Sequence, residues 1–335
     1  MADLSYTIEE DGGGDYTSVE AALDDNEQDL TDGGGDTLTL NIQGEWDNPD
    51  TDAVTIDGYT TGVANYIRIV TDSTARHNGI AWDKAKAYRL EVTDDYAVYN
   101  VESYVRIEGL QLKRIYSSVD WAITIYNSIW TNADVRIGDC IITTEGGHLT
   151  GCVQSGGSTS NLYIYNSSFI GCTADGISSG NQGIYYAYNC NFIGSGRNGI
   201  SKGGTGTTVV KNCVLADNSS GDEDGDVDTI DYCASDDDIG TNSQQLDNTN
   251  DYEDEFNDFA SGDYSLIAGS ICVGNGTDDP DAWGQYSDDI VGTIRTSTWD
   301  IGAFELAAEG GRTTKNTDAA PLGDRLGMSF RMGGL

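Results

Sequence analysis

The sequence predicts an all-β fold, a right-handed parallel β-helix solenoid with a short N-terminal capping helix and an extended C-terminal tail. Self-similarity at periods of about 20–50 residues is typical of solenoids. Short alternating strands are separated by Gly, Ser, Asn and Thr, and no helical period intervenes, which excludes helical and leucine-rich repeats. Variable repeat length with short strands fits a parallel β-helix. Equivalent positions of the repeat lie 38, 30, 27, 23 and 23 residues apart, at Ile69, Ile107, Ile137, Ile164, Ala187 and Val210.

The first region, residues 1–36, is predicted to be an N-terminal cap. A glycine-rich turn over residues 11–18 precedes a short apolar segment. Ser18 can cap a helix that begins at Val19, because its side-chain oxygen can accept a hydrogen bond from a backbone N–H of the first turn. Val19, Ala22 and Leu23 would form the buried face of this helix.

The second region, residues 37–306, is predicted to be the β-helix with an irregular C-terminal end. Leu38, Leu40 and Ile42 alternate with polar residues, as expected for a half-buried strand. After Cys233 the regularity fades into an acidic, Asn-rich stretch. The repeated units are residues 66–70, 104–110, 134–140, 162–171, 185–194, 208–215 and 230–233.

Stacking of the coils predicts two ladders of equivalent side chains, one rung every ~4.8 Å. The first ladder lies at one turn, where side-chain amides can bridge coils, and consists of Asp139, Asn166, Asn189 and Asn212. The second follows directly, points inward, and consists of Cys140, Ser167, Cys190 and Cys213, with Cys233 as a further member.

The seven cysteines are therefore expected to be buried, reduced thiols, without disulfides and without a metal. The first residues carry neither a basic segment nor an apolar core, so no secretory signal is recognised and synthesis in the host cytoplasm is expected. No apolar run approaches the ~18 residues of a membrane span, so membrane insertion is not expected.

The formal net charge is −39, from 17 Lys and Arg against 56 Asp and Glu. Such a charge repels phosphate backbones, so nucleic acid is not an expected partner. Self-repulsion would destabilise the fold at low salt, whereas at molar salt the Debye length falls to about 3 Å and screens it. The composition therefore indicates a halophilic source; an ordinary acidic surface, partly neutralised by calcium, is the alternative.

Two motifs carry a resemblance to known proteins. The stretch from Asp263 to Ser270, followed by Asp300-Ile301-Gly302-Ala303-Phe304-Glu305, resembles the C-terminal end of pectate-lyase-like β-helix proteins of the choice-of-anchor Q type. The glycine-rich turn near the N-terminus, with its small helix, is similar to the cap of pectin esterases, pectate lyases and phage tailspikes. The resemblance implies the architecture; the activities it implies range from lyases, hydrolases and esterases to inert structural proteins.

An outward row on one sheet is the candidate for contact with acidic sugars. It consists of Arg68, Arg106, Arg136, Tyr163 and Tyr186, which recur at one position of the repeat. The alternative is that these side chains face solvent and are neutralised by neighbouring acids.

No catalytic residues and no resident metal are predicted. Outward carboxylates are too numerous for any pair to stand out as a glycosidase pair, and His77 and His148 follow no ligand spacing. No cofactor is expected, apart from incidental Ca²⁺ at the acidic turn over residues 222–228, which lacks the glycine and glutamate positions of an EF-hand.

The third region, residues 307–335, is predicted to be an extended basic docking tail. Residues 310–335 carry a net charge of +2, which leaves −41 for the rest of the chain. The tail would fasten the protein to an acidic partner through Arg312, Lys315, Arg325, Phe330 and Arg331.

These features together predict a structural virion protein on the exterior of a tailed virus, as a head decoration or turret, or as a tailspike or fibre. The expected partners are further copies of the chain (a trimer by analogy), other virion proteins through the tail, and host surface glycans. The rival hypothesis is a polysaccharide lyase or glycoside hydrolase that acts on host surface polysaccharide. A third is a glycan-binding module without turnover.

Overall fold

A computed structural model of the chain describes residues 4–32, 36–82, 85–116, 121–125, 134–146, 151–155, 161–179, 183–237, 239–247, 252–278, 287–295 and 298–306. The described residues form long stacks of parallel strands and a single short α-helix. This architecture confirms the all-β parallel solenoid predicted from the repeat. The predicted docking tail, residues 307–335, lies outside the described residues.

The secondary structure consists of one helix, α1 (Val19–Asp24), and 26 described strands. The strands in chain order are β1 (Leu4–Ile8), β2 (Leu38–Ile42), β3 (Val54–Ile56), β4 (Ile67–Thr71), β5 (Arg89–Thr93), β6 (Val98–Asn100), β7 (Tyr104–Glu108), β8 (Gln111–Tyr116), β9 (Trp121–Ile125), β10 (Asp134–Gly138), β11 (Ile141–Gly146), β12 (Gly151–Ser155), β13 (Asn161–Tyr165), β14 (Ser168–Ile170), β15 (Ile177–Ser179), β16 (Ile184–Tyr188), β17 (Asn191–Ile193), β18 (Asn198–Lys202), β19 (Thr207–Lys211), β20 (Val214–Ala216), β21 (Gly221–Asp224), β22 (Thr229–Asp231), β23 (Ala234–Ser235), β24 (Gln244–Gln245), β25 (Phe256–Asp258) and β26 (Asp263–Leu266). A 3₁₀ turn, Phe259–Ser261, joins the last two.

Three parallel sheets form the walls of the β-helix. Sheet A has the order β1-β2-β4-β7-β10-β13-β16-β19-β22, sheet B the order β5-β8-β11-β14-β17-β20-β23-β24, and sheet C the order β3-β6-β9-β12-β15-β18-β21. From β4 to β21, each coil contributes one strand to sheet A, then one to sheet B, then one to sheet C, as β4, β5 and β6 do. The strands β25 and β26 form a separate antiparallel pair.

The N-terminal end of the β-helix is covered by α1. Ser18 caps this helix, because its hydroxyl accepts a hydrogen bond from the Ala21 N–H at 3.3 Å. Val19, Ala22 and Leu23 are buried against the first coil, as the sequence predicts. The helix is too short to be stable alone, so its stability comes from this packing.

The turn between sheets A and B carries the first predicted ladder. Asp139, Asn166, Asn189 and Asn212 all have φ between +47° and +55° there, a left-handed conformation that Asn and Asp tolerate better than other non-glycine residues. Asn166 Nδ2 donates to Asp139 Oδ1 at 3.2 Å. The Asn189 amide has no partner among the described residues, so the amides share one conformation without forming a continuous hydrogen-bonded chain.

The next position of each coil points into the solenoid. Cys140, Ser167, Cys190, Cys213 and Cys233 are all fully buried. The Ser167 hydroxyl accepts a hydrogen bond from the Cys140 N–H at 3.1 Å, and the Cys233 sulfur accepts one from the Cys213 N–H at 3.5 Å. Small polarizable side chains therefore fill this corner of the interior, where the chain turns sharply.

The expectation that every cysteine is reduced is wrong for one pair, since Cys152 and Cys172 form a disulfide. Cys152 lies on β12, and Cys172 follows β14 in the next coil. Their Cα atoms are 5.7 Å apart, a separation suited to a disulfide. Neither cysteine belongs to the inward ladder, so the repeat does not predict that they lie close together. Stacking of successive coils brings them together.

The disulfide determines how many free thiols a titration should detect. Thiol titration of the denatured, unreduced protein should detect five thiols, and titration after reduction should detect all seven. Replacing both Cys152 and Cys172 by serine should lower the free energy of unfolding by about 3 kcal/mol, since the crosslink restricts the unfolded chain. Cys140→Ser is the matched control, because Ser167 already occupies the equivalent position of the next coil. Seven thiols before reduction would contradict the assignment.

The irregular C-terminal segment covers the outer face of sheet B. Outward residues of this sheet, such as Ile193 and Val214, form a second apolar core with Ile290, Ile301 and Ala303. The segment is also tied to the ladder turn: Asn212 accepts the Thr277 N–H at 2.9 Å, and its amide donates to the Thr277 carbonyl at 2.8 Å. The outer face of sheet B around Ile193 and Val214 is therefore buried, whereas Glu145 on β11 stays exposed. On sheet A, outward side chains such as Arg68 and Tyr186 stay partly exposed.

Candidate functional site

The five residues predicted to form an outward row lie side by side on sheet A. Arg68, Arg106 and Arg136 are direct partners on β4, β7 and β10. Tyr163 on β13 and Tyr186 on β16 continue the same row. These residues, called the Arg–Tyr stripe below, form one line that crosses the strands along the β-helix. Their neighbours within each strand point inward and are buried, as strand alternation requires.

The arginine half of the stripe is held by two carboxylates. The Arg68 guanidinium donates to Glu108 Oε2 from Nη2 at 2.6 Å and from Nε at 2.9 Å. Asp134 pairs with both remaining arginines, at 3.1 Å to Arg106 and 2.8 Å to Arg136. Three positive charges thus face two negative charges. This surface keeps a positive excess on a protein whose net charge is −39.

Burial and pairing determine the charge states on the stripe. Burial alone would raise the pKa of Glu108, but the Arg68 guanidinium outweighs it and lowers that pKa. Burial, together with the nearby Arg136 charge, lowers the pKa of Arg106. Because the Arg106 side chain is only 9 % exposed, it contributes its charge to the stripe but little accessible surface. The side chains of Arg68 and Arg136 are more accessible.

The tyrosine half of the stripe is a pair of aromatic rings stacked on each other. The rings of Tyr163 and Tyr186 stack with their centroids 4.9 Å apart and their planes within 4°. The Arg136 guanidinium lies 5.5 Å from the centroid of the Tyr163 ring, in cation–π contact. Both tyrosines are partly exposed. Rings stacked on each other in this way turn their edges and hydroxyl groups outward, where they can contact a sugar, while the adjacent guanidinium attracts a carboxylate or sulfate.

Glu108, Asp134 and Tyr165 are part of this surface, and the sequence analysis missed them. Tyr165 lies across Gly138, where an added Cβ would come within 2.2 Å of its ring. Its hydroxyl donates to Glu108 Oε1 at 3.1 Å. The signal in the sequence is Gly138 itself, a glycine aligned with Glu108 and Tyr165 on the neighbouring strands.

The buried histidine near this face has fixed hydrogen bonds. His77 Nδ1 accepts the Gly79 N–H at 3.1 Å, so its Nε2 carries the proton donated to the Asp139 carbonyl at 2.9 Å. Burial and the Arg76 charge lower the pKa of His77 to about 3. His77 is therefore neutral across the physiological range, and its hydrogen bonds hold the turn at Asp139. His148 lies outside the described residues.

The acidic turn considered for calcium is at the end of sheet C. The carboxylate oxygens of Asp222, Asp236 and Asp237 all lie within 4.8 Å of one another. These are oxygen ligands of the kind that Ca²⁺ takes, and calcium binding stays a prediction. Asp228, a member of the same turn, pairs instead with Lys202 at 2.6 Å.

Comparison with protein families, with characterised proteins and with solved structures finds no match for this chain. Among the described residues, no helix has the length and apolarity needed to span a membrane.

Proposed function

We propose that this chain is a structural protein on the exterior of a tailed-virus particle, and that its Arg–Tyr stripe contacts acidic glycans on the host surface. The observation that carries the proposal is the stripe: one row of arginines and stacked tyrosines on a strongly acidic body, in which Arg106 is buried and the other four side chains are partly exposed. An acidic glycan repelled by the rest of the surface would be attracted here. The row runs along the β-helix, so a linear polymer could lie along it.

Other features support a place on a particle exterior. A β-helix is stiff, because each coil bonds to its neighbours along the whole axis. The Cys152–Cys172 disulfide is of a kind that persists in oxidising surroundings such as virion surfaces. The resemblance of the end motifs to pectate-lyase-like and tailspike β-helices points the same way. The acidic surface suits a halophilic virus.

The glycan part of the proposal is tested by binding to an oligogalacturonate, with neutral dextran as the control polymer. Tyr163→Ala with Tyr186→Ala should weaken binding of the acidic polymer by about 5-fold or more, since two aromatic contacts of about 0.5–1.5 kcal/mol each sum to about 1–3 kcal/mol. The matched control is Tyr99→Ala, which removes a partly exposed tyrosine from an outward position of sheet C. Equal loss in both variants, or equal binding of dextran, would contradict a role for the stripe.

The particle part of the proposal is tested separately. Mass spectrometry of density-purified virus particles should find the chain, and antibodies against it should label intact particles. Absence from purified particles would overturn the structural role. In the same preparations, new reducing ends or unsaturated uronates released from the polymer would favour the lyase or hydrolase hypothesis over a structural protein.

A further inference from the structure

The two ends of the β-helix differ in how their interiors are covered. At the N-terminal end, α1 buries its apolar face against the first coil. At the opposite end, Ile230 on β22 is partly exposed, although its register partner Val210 on β19 is fully buried. Val227 and Ile239 are also partly exposed there, next to the main core. Interior positions of the last coil are thus open on one side.

This open end forms an acidic pocket with an apolar floor. The pocket has a volume of about 530 Å³. Residues 221–241, which include β21, β22 and β23, contain nine acidic residues and no lysine or arginine. Its lining includes Glu223, Val227, Asp228, Ile230, Asp231 and Ile239.

The strand edges at this end have few partners. Sheets A, B and C end at β22, β24 and β21. Past β22, the described residues provide only the single bridge between Asp231 and Thr241. A solenoid end that the described residues leave uncovered, with open strand edges and partly exposed core residues, invites association with other chains, and solenoids usually carry a cap there.

Residues 325–332 have the sequence pattern that such a cap needs. Leu326, Met328, Phe330 and Met332 alternate with Arg325, Gly327, Ser329 and Arg331. Alternation with a period of two predicts a strand with one apolar face. The strands of sheet A show the same alternation, with apolar residues at the second and fourth positions, as in β10 and β13. Asp228 of the acidic rim is already paired with Lys202, and the two arginines can supply positive charge to Glu223 and Asp231.

The same chain can deliver this segment to the open end. Gly302 donates its N–H to the Asn212 carbonyl at 2.7 Å, so the last described segment lies against the coil next to β22. From Leu306 to Arg325 there are 18 intervening residues, which can extend about 60 Å. A tether of this length holds the segment near the open end at a high effective concentration, which favours the chain's own tail over that of a second copy.

We propose that residues 325–332 cover the open end of the β-helix of their own chain. Leu326, Met328, Phe330 and Met332 pack over Val227, Ile230 and Ile239, and the arginines pair with the acidic rim. The acidic partner expected for the basic tail is then the last coil of the same molecule. This inference is independent of the proposed glycan contact.

The test uses amide hydrogen exchange of the full-length chain and two variants. In Met328→Asp with Phe330→Asp, amides of residues 227–231 and 239–241 should exchange at least 10-fold faster than in the unmodified chain. Exchange over residues 4–42 at the capped end should not change, which shows that the variant is folded. Ser329→Asn, at a polar position of the same segment, is the matched control and should leave exchange unchanged at both ends.

The choice of occupant is tested by light scattering and dilution. Protection of the last coil should be independent of protein concentration, whatever oligomeric mass light scattering gives. Protection that is lost on dilution, together with a dimer mass, would assign the segment to a second copy and overturn the proposal. Equal exchange in the double variant and the unmodified chain would show that the segment does not cover this end.

Discussion

Arg295→Met is expected to lower the free energy of unfolding by about 3–5 kcal/mol, because it leaves a buried carboxylate without its cation. The Arg295 side chain is fully buried, and its Nη1 lies 3.3 Å from Oε2 of Glu305, which is itself 4 % exposed. The guanidinium also donates to the Gly302 carbonyl at 2.9 Å and to Asn166 Oδ1 at 3.3 Å. Arg295 therefore joins the C-terminal segment to the ladder turn.

The measurement is chemical denaturation of the variant and the unmodified chain, followed by tyrosine and tryptophan fluorescence. Lys86→Met is the matched control, because it removes a cation from an exposed ion pair with Glu45, and exposed pairs contribute little. The midpoint of this control should not move. If Arg295→Met had the same midpoint as the control, the ion pair would not hold the C-terminal segment in place.

The repeat made the solenoid predictable from the sequence. Each coil contributes the same few positions, so the αL residues Asn166, Asn189 and Asn212 and the inward positions after them follow from local spacing. Backbone conformation at a tight turn depends on the residue itself, which is why Asn at equal intervals was informative. The positions of the stripe residues on sheet A follow from the same register.

The parts that sequence reasoning missed depend on contacts between distant segments. Arg295 and Asn166 are 129 residues apart, and nothing in the local pattern of either residue indicates the other. Glu108 lies one coil away from Arg68, and Asp134 lies one coil away from Arg106, although Asp134 and Arg136 are neighbours on the same face of β10. Cys152 and Cys172 lie outside the repeated motif, so their pairing depends on how two irregular corners stack.

A second large effect is expected from pH, through Asp222. Burial, with a further contribution from the Asp236 carboxylate, raises the pKa of Asp222 to about 8. The Ser235 hydroxyl and the Asn218 amide, at 2.7 Å, donate to this carboxyl group and oppose the rise. The usual pKa of an aspartate side chain is 3.8. Between about pH 4 and pH 8, the folded chain therefore holds one proton more than the unfolded chain at this residue.

Because the pKa of Asp222 is higher in the folded chain than in the unfolded chain, its contribution to stability is complete below about pH 4 and is lost as the pH rises toward about 8. One such proton changes the free energy of unfolding by at most about 1.4 kcal/mol per pH unit. Asp222→Asn cannot ionise, so stability measured against pH in EDTA should lose this slope and exceed that of the unmodified chain near pH 8. Asp263→Asn is the control, because hydrogen bonds from Ser265 and Asn257 outweigh burial and lower the pKa of Asp263. This replacement should leave in place the fall in stability with pH that Asp222 causes. Parallel curves for Asp222→Asn and the unmodified chain would mean that Asp222 is ionised in the folded protein.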